Sequence, residues 1–235
     1  MHRVSAPTAS WRISCDFDGT ITRSDVVQGV LIRFADPRWL EAEAEWEAGR
    51  IGSRACLDVQ TRLLRVSDTE LADWVDQQPV DPHVADFFAD CAELGLDIRV
   101  LSDGYDWVIH RVMARLGLEH VPVVANHLVY AGDGRWTVEF PHARKSCPSG
   151  TCKCSALPDT APRAHIGDGR SDICVSDVCD LVFAKSSLLA SRTARGLASV
   201  PFDTFADIRA ALPGLIHGDA HLASNARREA ASPAA

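Results

Sequence analysis

Two aspartates two residues apart, Asp16 and Asp18, stand directly before Gly19-Thr20. At the end of a strand such a pair can address one site if the chain turns there, and Gly19 permits the turn. A second acidic group, Asp168 and Asp172, lies in Gly167-Asp168-Gly169-Arg170-Ser171-Asp172. Four carboxylates brought together repel one another unless a cation sits among them. Hard oxygen ligands favour Mg²⁺, which keeps several waters and takes one or two protein carboxylates plus a substrate phosphate. Ser102 and Lys153 offer a hydroxyl and a point charge to phosphate oxygens. Together these residue types suit transfer of a phosphoryl group to a carboxylate. Taken singly, each has a plainer reading. Asp-x-Asp is usually a solvated turn, a serine after a strand is a cap, and a lysine is a surface charge. Their joint placement argues for chemistry.

That placement comes from the elements around them. Arg12 to Phe17 reads as a short strand ending in Asp-Gly-Thr turn chemistry. Residues 24–78 are helical in pattern, with breaks near Asp36-Pro37, Gly49 to Ser53 and Ser67-Asp68. Ser67 to Glu70 before Leu71 reads as a helix start. His83 to Leu94 places Val84, Phe87, Phe88, Cys91 and Leu94 at helical spacing. Leu96 to Leu101 reads as a strand with Ser102-Asp103-Gly104 as its exit, followed by a helix from Trp107 to Leu116. Val121 to Ala125 is a further strand. His127 to Tyr130 and Trp136 to Phe140 flank Gly132-Asp133-Gly134 as a hairpin. Ala164 to Ile166, Leu181 to Ala184 and Ala198 to Pro201 complete the strand set. Strands alternating with helices imply an α/β fold with a parallel sheet, whose ligands bind beyond the carboxyl ends of the strands. The acids at 16–18, 102–103 and 168–172 all fall at predicted strand exits.

Composition narrows the class of partner. The 235 residues carry 24 Lys and Arg against 32 Asp and Glu, a net charge of −8. Nucleic-acid binding needs a basic face, so that role is disfavoured. No run approaches the apolar length of a membrane span, and the N-terminus lacks the apolar stretch of a secretory signal. The expectation is a soluble cytoplasmic protein, monomer or homodimer, acting on a small molecule. The eight cysteines then read as thiols rather than a disulfide framework.

The ordered set of sites resembles the haloacid dehalogenase (HAD) superfamily. Asp16-Phe17-Asp18-Gly19-Thr20-Ile21-Thr22 is similar to its first motif, Ser102 to the second, Lys153 to the third and Gly167 to Asp172 to the fourth, over about residues 12–200. Within it, Trp46 to Arg54 and Leu101 to Asp106 resemble the MtnX-like branch of subfamily IB, the 2-hydroxy-3-keto-5-methylthiopentenyl-1-phosphate phosphatases. Cys147-Pro148-Ser149-Gly150-Thr151-Cys152-Lys153 also resembles the phosphoethanolamine/phosphocholine phosphatases, and phosphoserine phosphatase is a more distant relative.

The resemblance implies a HAD-like Rossmannoid core at 1–23 and 79–216 and a helical C1 cap at 24–78 inserted after the first strand; the polar, Ala-rich composition of 217–235 reads as a disordered tail. The resemblance also implies residue roles. Asp16 is the nucleophile that becomes an aspartyl-phosphate, and Asp18 is the general acid and base. Mg²⁺ is held by Asp16, the Asp18 carbonyl and Asp168, with Asp172 beside it. Ser102 and Lys153 bind phosphate, with backbone donors from Asp103, Gly104 and Gly19. The cap reads the leaving group. Asp25 there either contacts a substrate amine or hydroxyl or caps the first cap helix. Arg50 and Arg54 could meet a substrate carboxylate.

Three further readings stay open. Cys147, Cys152 and Cys154, with His142 nearby, could bind Zn²⁺, although C-x4-C-x-C is not a standard zinc spacing. A reversible Cys147–Cys152 redox pair beside Lys153 is an alternative. With either, the chain could be a zinc- or redox-responsive binding module rather than an enzyme. A protein phosphatase or phosphotransferase is the third, disfavoured because a helical lid restricts large substrates.

Overall fold

The computed structural model describes residues 11–157 and 162–217. Its centre is a seven-stranded sheet. The strands are β1 (Arg12–Cys15), β2 (Asp97–Tyr105), β3 (Val123–Gly132), β4 (Arg135–Glu139), β5 (Arg163–Gly167), β6 (Leu181–Ala184) and β7 (Val200–Pro201). They lie in the order β4-β3-β2-β1-β5-β6-β7, and every pair except β3 with β4 is parallel. Nine α-helices occur among the described residues. They are α1 (Val26–Phe34), α2 (Trp39–Glu47), α3 (Ser53–Arg62), α4 (Asp68–Val75), α5 (Val84–Glu93), α6 (Asp106–Arg115), α7 (Ile173–Ser176), α8 (Ser186–Ala194) and α9 (Phe205–His217).

A parallel strand covered on both faces needs apolar residues throughout rather than in alternation. β1 follows this with one exception: Ile13 and Cys15 are buried, as is Phe17 beyond it, and the buried polar Ser14 is satisfied by His165, its Oγ 2.8 Å from Nδ1. From β1 the chain builds β2 and β3 on one side, then crosses to build β5, β6 and β7 on the other. The strand order therefore reverses between β1 and β5. A crevice opens at such a reversal, beyond the carboxyl ends of the strands.

Helices α1 to α4 form one excursion between β1 and β2. The chain leaves and returns through adjacent segments: Thr22 bridges Val80, Arg23 N–H donates to the Pro79 carbonyl at 3.0 Å, and Asp81 N–H to that of Ile21 at 3.0 Å. The expected start of α4 is a full capping box, with Ser67 and Glu70 satisfying each other's backbone donors. The excursion docks on the β3–β4 hairpin, where Trp136 Nε1 donates to the Val66 carbonyl at 2.9 Å. It docks on β2 as well, where the Thr61 and Tyr105 hydroxyls lie 2.7 Å apart.

Two strands run further than their patterns predict. Residues 123–132 form one continuous strand, parallel to β2 in its first half and antiparallel to β4 in its second. The sequence splits it because Asn126 interrupts the apolar run, yet Asn126 is fully buried and hydrogen-bonded. β2 continues through Ser102 to Tyr105, with an irregular register against β3 after Leu101. The hairpin lies where Gly132 to Gly134 predicts it: Asp133 and Gly134 both take positive φ, 51° and 71°, as tight hairpins require. The N-terminal arm and most of the predicted tail lie outside the described residues.

Candidate active site

Asp16 leaves the end of β1 into a tight turn. The N–H groups of Thr20, Ile21 and Thr22 all converge on the Phe17 carbonyl at 2.9–3.2 Å. Gly19 takes φ +73°, and a side chain there would strike Asp168: a Cβ would lie 2.6 Å from its Oδ2. Glycine is thus needed twice over, for the turn and for the approach of β1 to β5.

Four carboxylates and one ammonium meet here. Lys153 is 1% exposed. Its Nζ lies 2.6 Å from Asp16 Oδ1, 2.6 Å from Asp172 Oδ1 and 3.0 Å from Ser171 Oγ. Ligand atoms of Asp16, Asp168 and Asp172 all fall within 4.8 Å of one another. One lysine cannot neutralise three acids. Burial, and then the Asp172 charge, push Asp16 well above the usual carboxylate range, although Lys153 opposes them. Asp168 is pushed up to about 6 by burial and then by Asp172. Burial works against ionised Asp172 as well, but Lys153 and His165 overcome it and hold Asp172 below its ordinary range. Burial alone would lower Lys153; its two carboxylate partners raise it instead. The surplus negative charge and the hard oxygen donors fit a divalent cation such as Mg²⁺.

Both oxygens of Asp172 are already engaged. Oδ1 faces Lys153 and His165 Nε2, the latter at 3.0 Å. Oδ2 accepts the N–H groups of Asp168 and Gly169 at 3.2 and 3.0 Å. Asp172 therefore ties the β5 exit loop to Lys153. His165 is itself wholly buried, with Nδ1 2.8 Å from Ser14 Oγ, and burial lowers its proton affinity. The sequence reading missed His165. Its signal was a polar residue inside a short apolar strand, three positions before Asp168.

Asp18 sits across the crevice. Its Oδ1 accepts the N–H of Val26 at 2.8 Å, in the first turn of α1. Burial, and then the charge of Asp25, raise its proton affinity well above that of an ordinary aspartate. Its Oδ2 faces Gly104, where a Cβ would lie 2.5 Å away. Asp25 caps α1, its Oδ1 accepting from Gln28 N–H at 2.8 Å, and it also lines the crevice. The two readings of Asp25 are compatible in this geometry.

Ser102 is buried, and its Oγ accepts the Gly104 N–H at 2.9 Å. The Asp103 carboxylate turns elsewhere. Oδ2 accepts the Ser53 hydroxyl of α3, and Oδ1 accepts the Thr151 N–H at 2.7 Å and Asn126 Nδ2 at 3.2 Å. It joins the helical excursion, β3 and the segment carrying Lys153. Arg50 pairs with exposed Glu45. The crevice itself has a volume of about 520 Å³. Its upper wall includes Gln28, Glu43, Trp46, Cys56 and Gln60. Glu43 accepts from Gln60 Nε2 at 2.7 Å, and the Arg170 guanidinium stacks 5.3 Å from the Trp46 ring.

Comparison with known proteins agrees with this arrangement. The family model described as haloacid dehalogenase-like hydrolase matches residues 13–177. A 2-hydroxy-3-keto-5-methylthiopentenyl-1-phosphate phosphatase of Geobacillus kaustophilus is 30% identical over 209 residues, covering 84% of this chain and 93% of that protein. One of the same name from Brevibacillus brevis is 29% identical over 203 residues, covering 83% and 91%. Among solved structures, a phosphoserine phosphatase with a phospho-aspartyl intermediate analogue superposes with a TM-score of 0.65 at 18% identity, over 88% of this chain and 99% of that one. No helix among the described residues is long and apolar enough to cross a membrane. The chain belongs to the haloacid dehalogenase-like hydrolase family, as a phosphoric monoester hydrolase.

Proposed function

We propose that the chain hydrolyses a small phosphomonoester in two steps, through an aspartyl-phosphate on Asp16 and with Mg²⁺. The observation that carries this reading is the division of labour between the oxygens of Asp16 and Asp18. Lys153 holds Asp16 Oδ1, which leaves Oδ2 to attack phosphorus. Val26 N–H holds Asp18 Oδ1, so the proton of the raised Asp18 carboxyl belongs on Oδ2. In the first step Asp16 Oδ2 forms a bond to phosphorus as the phosphorus–oxygen bond to the alcohol breaks, and Asp18 Oδ2 gives its proton to the departing oxygen. In the second step the Asp18 carboxylate takes a proton from water, which attacks the aspartyl-phosphate and releases inorganic phosphate.

Mg²⁺, bound by Asp16, Asp168 and the Asp18 carbonyl, would offset the repulsion between carboxylate and phosphate. Asp172, with both oxygens engaged, acts through Lys153 and the β5 exit loop. Ser102 and Lys153 hold phosphate oxygens, joined by backbone donors at Asp103, Gly104 and Gly19. The segment 24–78 serves as the cap, hinged on the paired strands of chain at Thr22 and Val80, and it excludes water and reads the alcohol.

The curated relatives favour 2-hydroxy-3-keto-5-methylthiopentenyl-1-phosphate as substrate. One observation favours a second reading. The Asp25 and Glu43 carboxylates both line the crevice, which would suit a cationic alcohol such as that of phosphoethanolamine or phosphocholine. Phosphate release from a panel of both kinds, plus phosphoserine and sugar phosphates, with Mg²⁺ and with EDTA, tests the proposal. Mg²⁺-dependent release concentrated on one compound supports it and names the class. Asp16→Asn should reduce turnover to background with the fold intact; full activity in that variant would refute the nucleophile.

A further inference from the structure

Outside the phosphate site, a group of cysteines gathers around the turn that carries Lys153. Four thiols meet there from two parts of the chain. Cys147, Cys152 and Cys154 come from the segment before β5, and Cys174 comes from α7. Cys152 Sγ is 3.6 Å from Cys154 Sγ. The Cys147 thiol also contacts Cys152, and the Cys154 thiol contacts Cys174. Nothing in the sequence spacing connects Cys174 to the other three; the packing of α7 on the turn at 153–156 does. His142 meets this region through its backbone, its carbonyl accepting the Cys152 N–H at 3.2 Å.

We infer that Cys147, Cys152, Cys154 and Cys174 form a four-thiolate site for a soft divalent ion, Zn²⁺, which clamps the Lys153 turn to α7. Four sulfur ligands around one ion is the usual composition of a closed structural zinc site, and soft thiolates select zinc over Mg²⁺. The Cys154 N–H lies towards the Cys174 sulfur, whereas the Ser155 N–H donates to the Cys152 carbonyl at 3.2 Å and fixes the turn that carries the thiols. A backbone donor orients a thiolate ligand, while burial pushes the Cys154 and Cys174 thiols up and leaves their ionisation to the metal charge. Arg144, bonded to Ser155 Oγ at 3.3 Å, supplies positive charge next to the cluster. As they stand the sulfurs meet in pairs, and only the acidic triad has all its ligand atoms within 4.8 Å among the described residues. Closing the thiols on one ion requires rotation of Cys147, which is partly exposed, and Cys174, which is exposed. Lys153 lies between two of the ligands, so the ion would restrict the lysine whose ammonium grips Asp16 and Asp172.

The test uses the full chain, reduced and freed of metal, titrated with Co²⁺ in the presence of excess Mg²⁺. A thiolate site gives an intense sulfur-to-cobalt charge-transfer band and tetrahedral visible bands, which Zn²⁺ then abolishes. Cobalt at the acidic triad has oxygen ligands and gives neither. Saturation should come at about one equivalent. Cys174→Ser and, separately, Cys147→Ser should each weaken Zn²⁺ binding by at least about 10-fold, whereas Cys91→Ser, outside the cluster, should leave it unchanged. Circular dichroism checks that each variant is folded. Absence of the thiolate band overturns the inference, as does an unaltered spectrum in folded Cys174→Ser. A disulfide among these residues in protein that takes up no zinc also overturns it, in favour of a redox pair. None of these readouts depends on phosphatase activity.

Discussion

Replacing Lys153 with methionine preserves much of its length and removes its charge. The native ammonium lies 2.6 Å from an oxygen of both Asp16 and Asp172, and their side chains are 1%, 6% and 0% exposed. At that separation each pair attracts by about 6 kcal/mol if the effective dielectric is about 20. Desolvation of the three groups cancels much of this, and removing one partner of a buried pair costs about 3–5 kcal/mol because the other is left uncompensated. Urea unfolding at pH 7.5 should show a loss of that size. The variant can recover part of it by protonating a carboxylate, and the sign of that recovery is testable. With Lys153 gone, the folded-state pKa values of Asp16 and Asp172 stand above the unfolded value. The folded state then binds more protons than the unfolded state, and stability rises as pH falls from 7.5 towards 5. Turnover should fall by at least about 10³-fold, since the variant loses a phosphate-facing charge and its nucleophile holds a proton. Added Mg²⁺ should restore some stability by replacing the charge. A variant within about 1 kcal/mol of wild type, with turnover within about tenfold, would refute this account of Lys153.

Three other changes probe separate parts of the site. Asp18→Asn should lower turnover of alkyl phosphates by about 10²–10⁴-fold, with a smaller loss on p-nitrophenyl phosphate, whose alcohol leaves without a proton; equal losses on both would remove Asp18 as the acid. Gly104→Ala places a Cβ 2.5 Å from Asp18 Oδ2, so kcat should fall about 10²-fold through misplacement while thermal unfolding shows the fold retained; unchanged kcat would mean the backbone yields at no cost. Asp168, at about 6 without metal, takes up a proton on mild acidification, and protons then compete with Mg²⁺. The rise in melting temperature on adding Mg²⁺ should therefore be larger at pH 7.5 than at pH 5. Without Mg²⁺, the cost of ionised Asp168 should begin to fall as pH drops below about 6 and be gone once pH reaches the ordinary aspartate range, the folded state binding the extra proton across that window.

Local features carried the outline of the fold and the identity of the reacting groups. The apolar run ending at Asp16, the turn chemistry of Gly19-Thr20 and the Ser67–Glu70 capping box depend on neighbours within a few residues. Such preferences survive in any tertiary setting that tolerates them. The glycine turn after Asp133 and the excursion of helices before Pro79 were legible for the same reason. Asn126 was not: a polar residue breaks the strand pattern, and the acceptors of Asp103, 23 residues away, together with the Thr151 hydroxyl, 25 residues away, make its burial tolerable.

The division of roles within the site belongs to tertiary structure. The family resemblance put the Asp103 backbone with the phosphate donors and Asp172 beside the metal ligands, and neither assignment says where the carboxylate points. Which way a carboxylate turns depends on donors that arrive from elsewhere in the chain: Ser53 and Thr151 for Asp103, and Lys153, His165 and two loop amides for Asp172. Cys174 joins the other thiols for a similar reason, through the seat of a four-residue helix on a turn 20 residues earlier. The sequence by itself determined that acids and a serine would meet at one sheet edge, since strand exits in a parallel sheet converge there; Lys153, which lies on a turn before β5 and not at a strand exit, joined them only through the family resemblance. Only the folded chain decided which oxygen is held and which is free, because that choice is made by hydrogen-bond donors whose distance along the sequence carries no information about their distance in space.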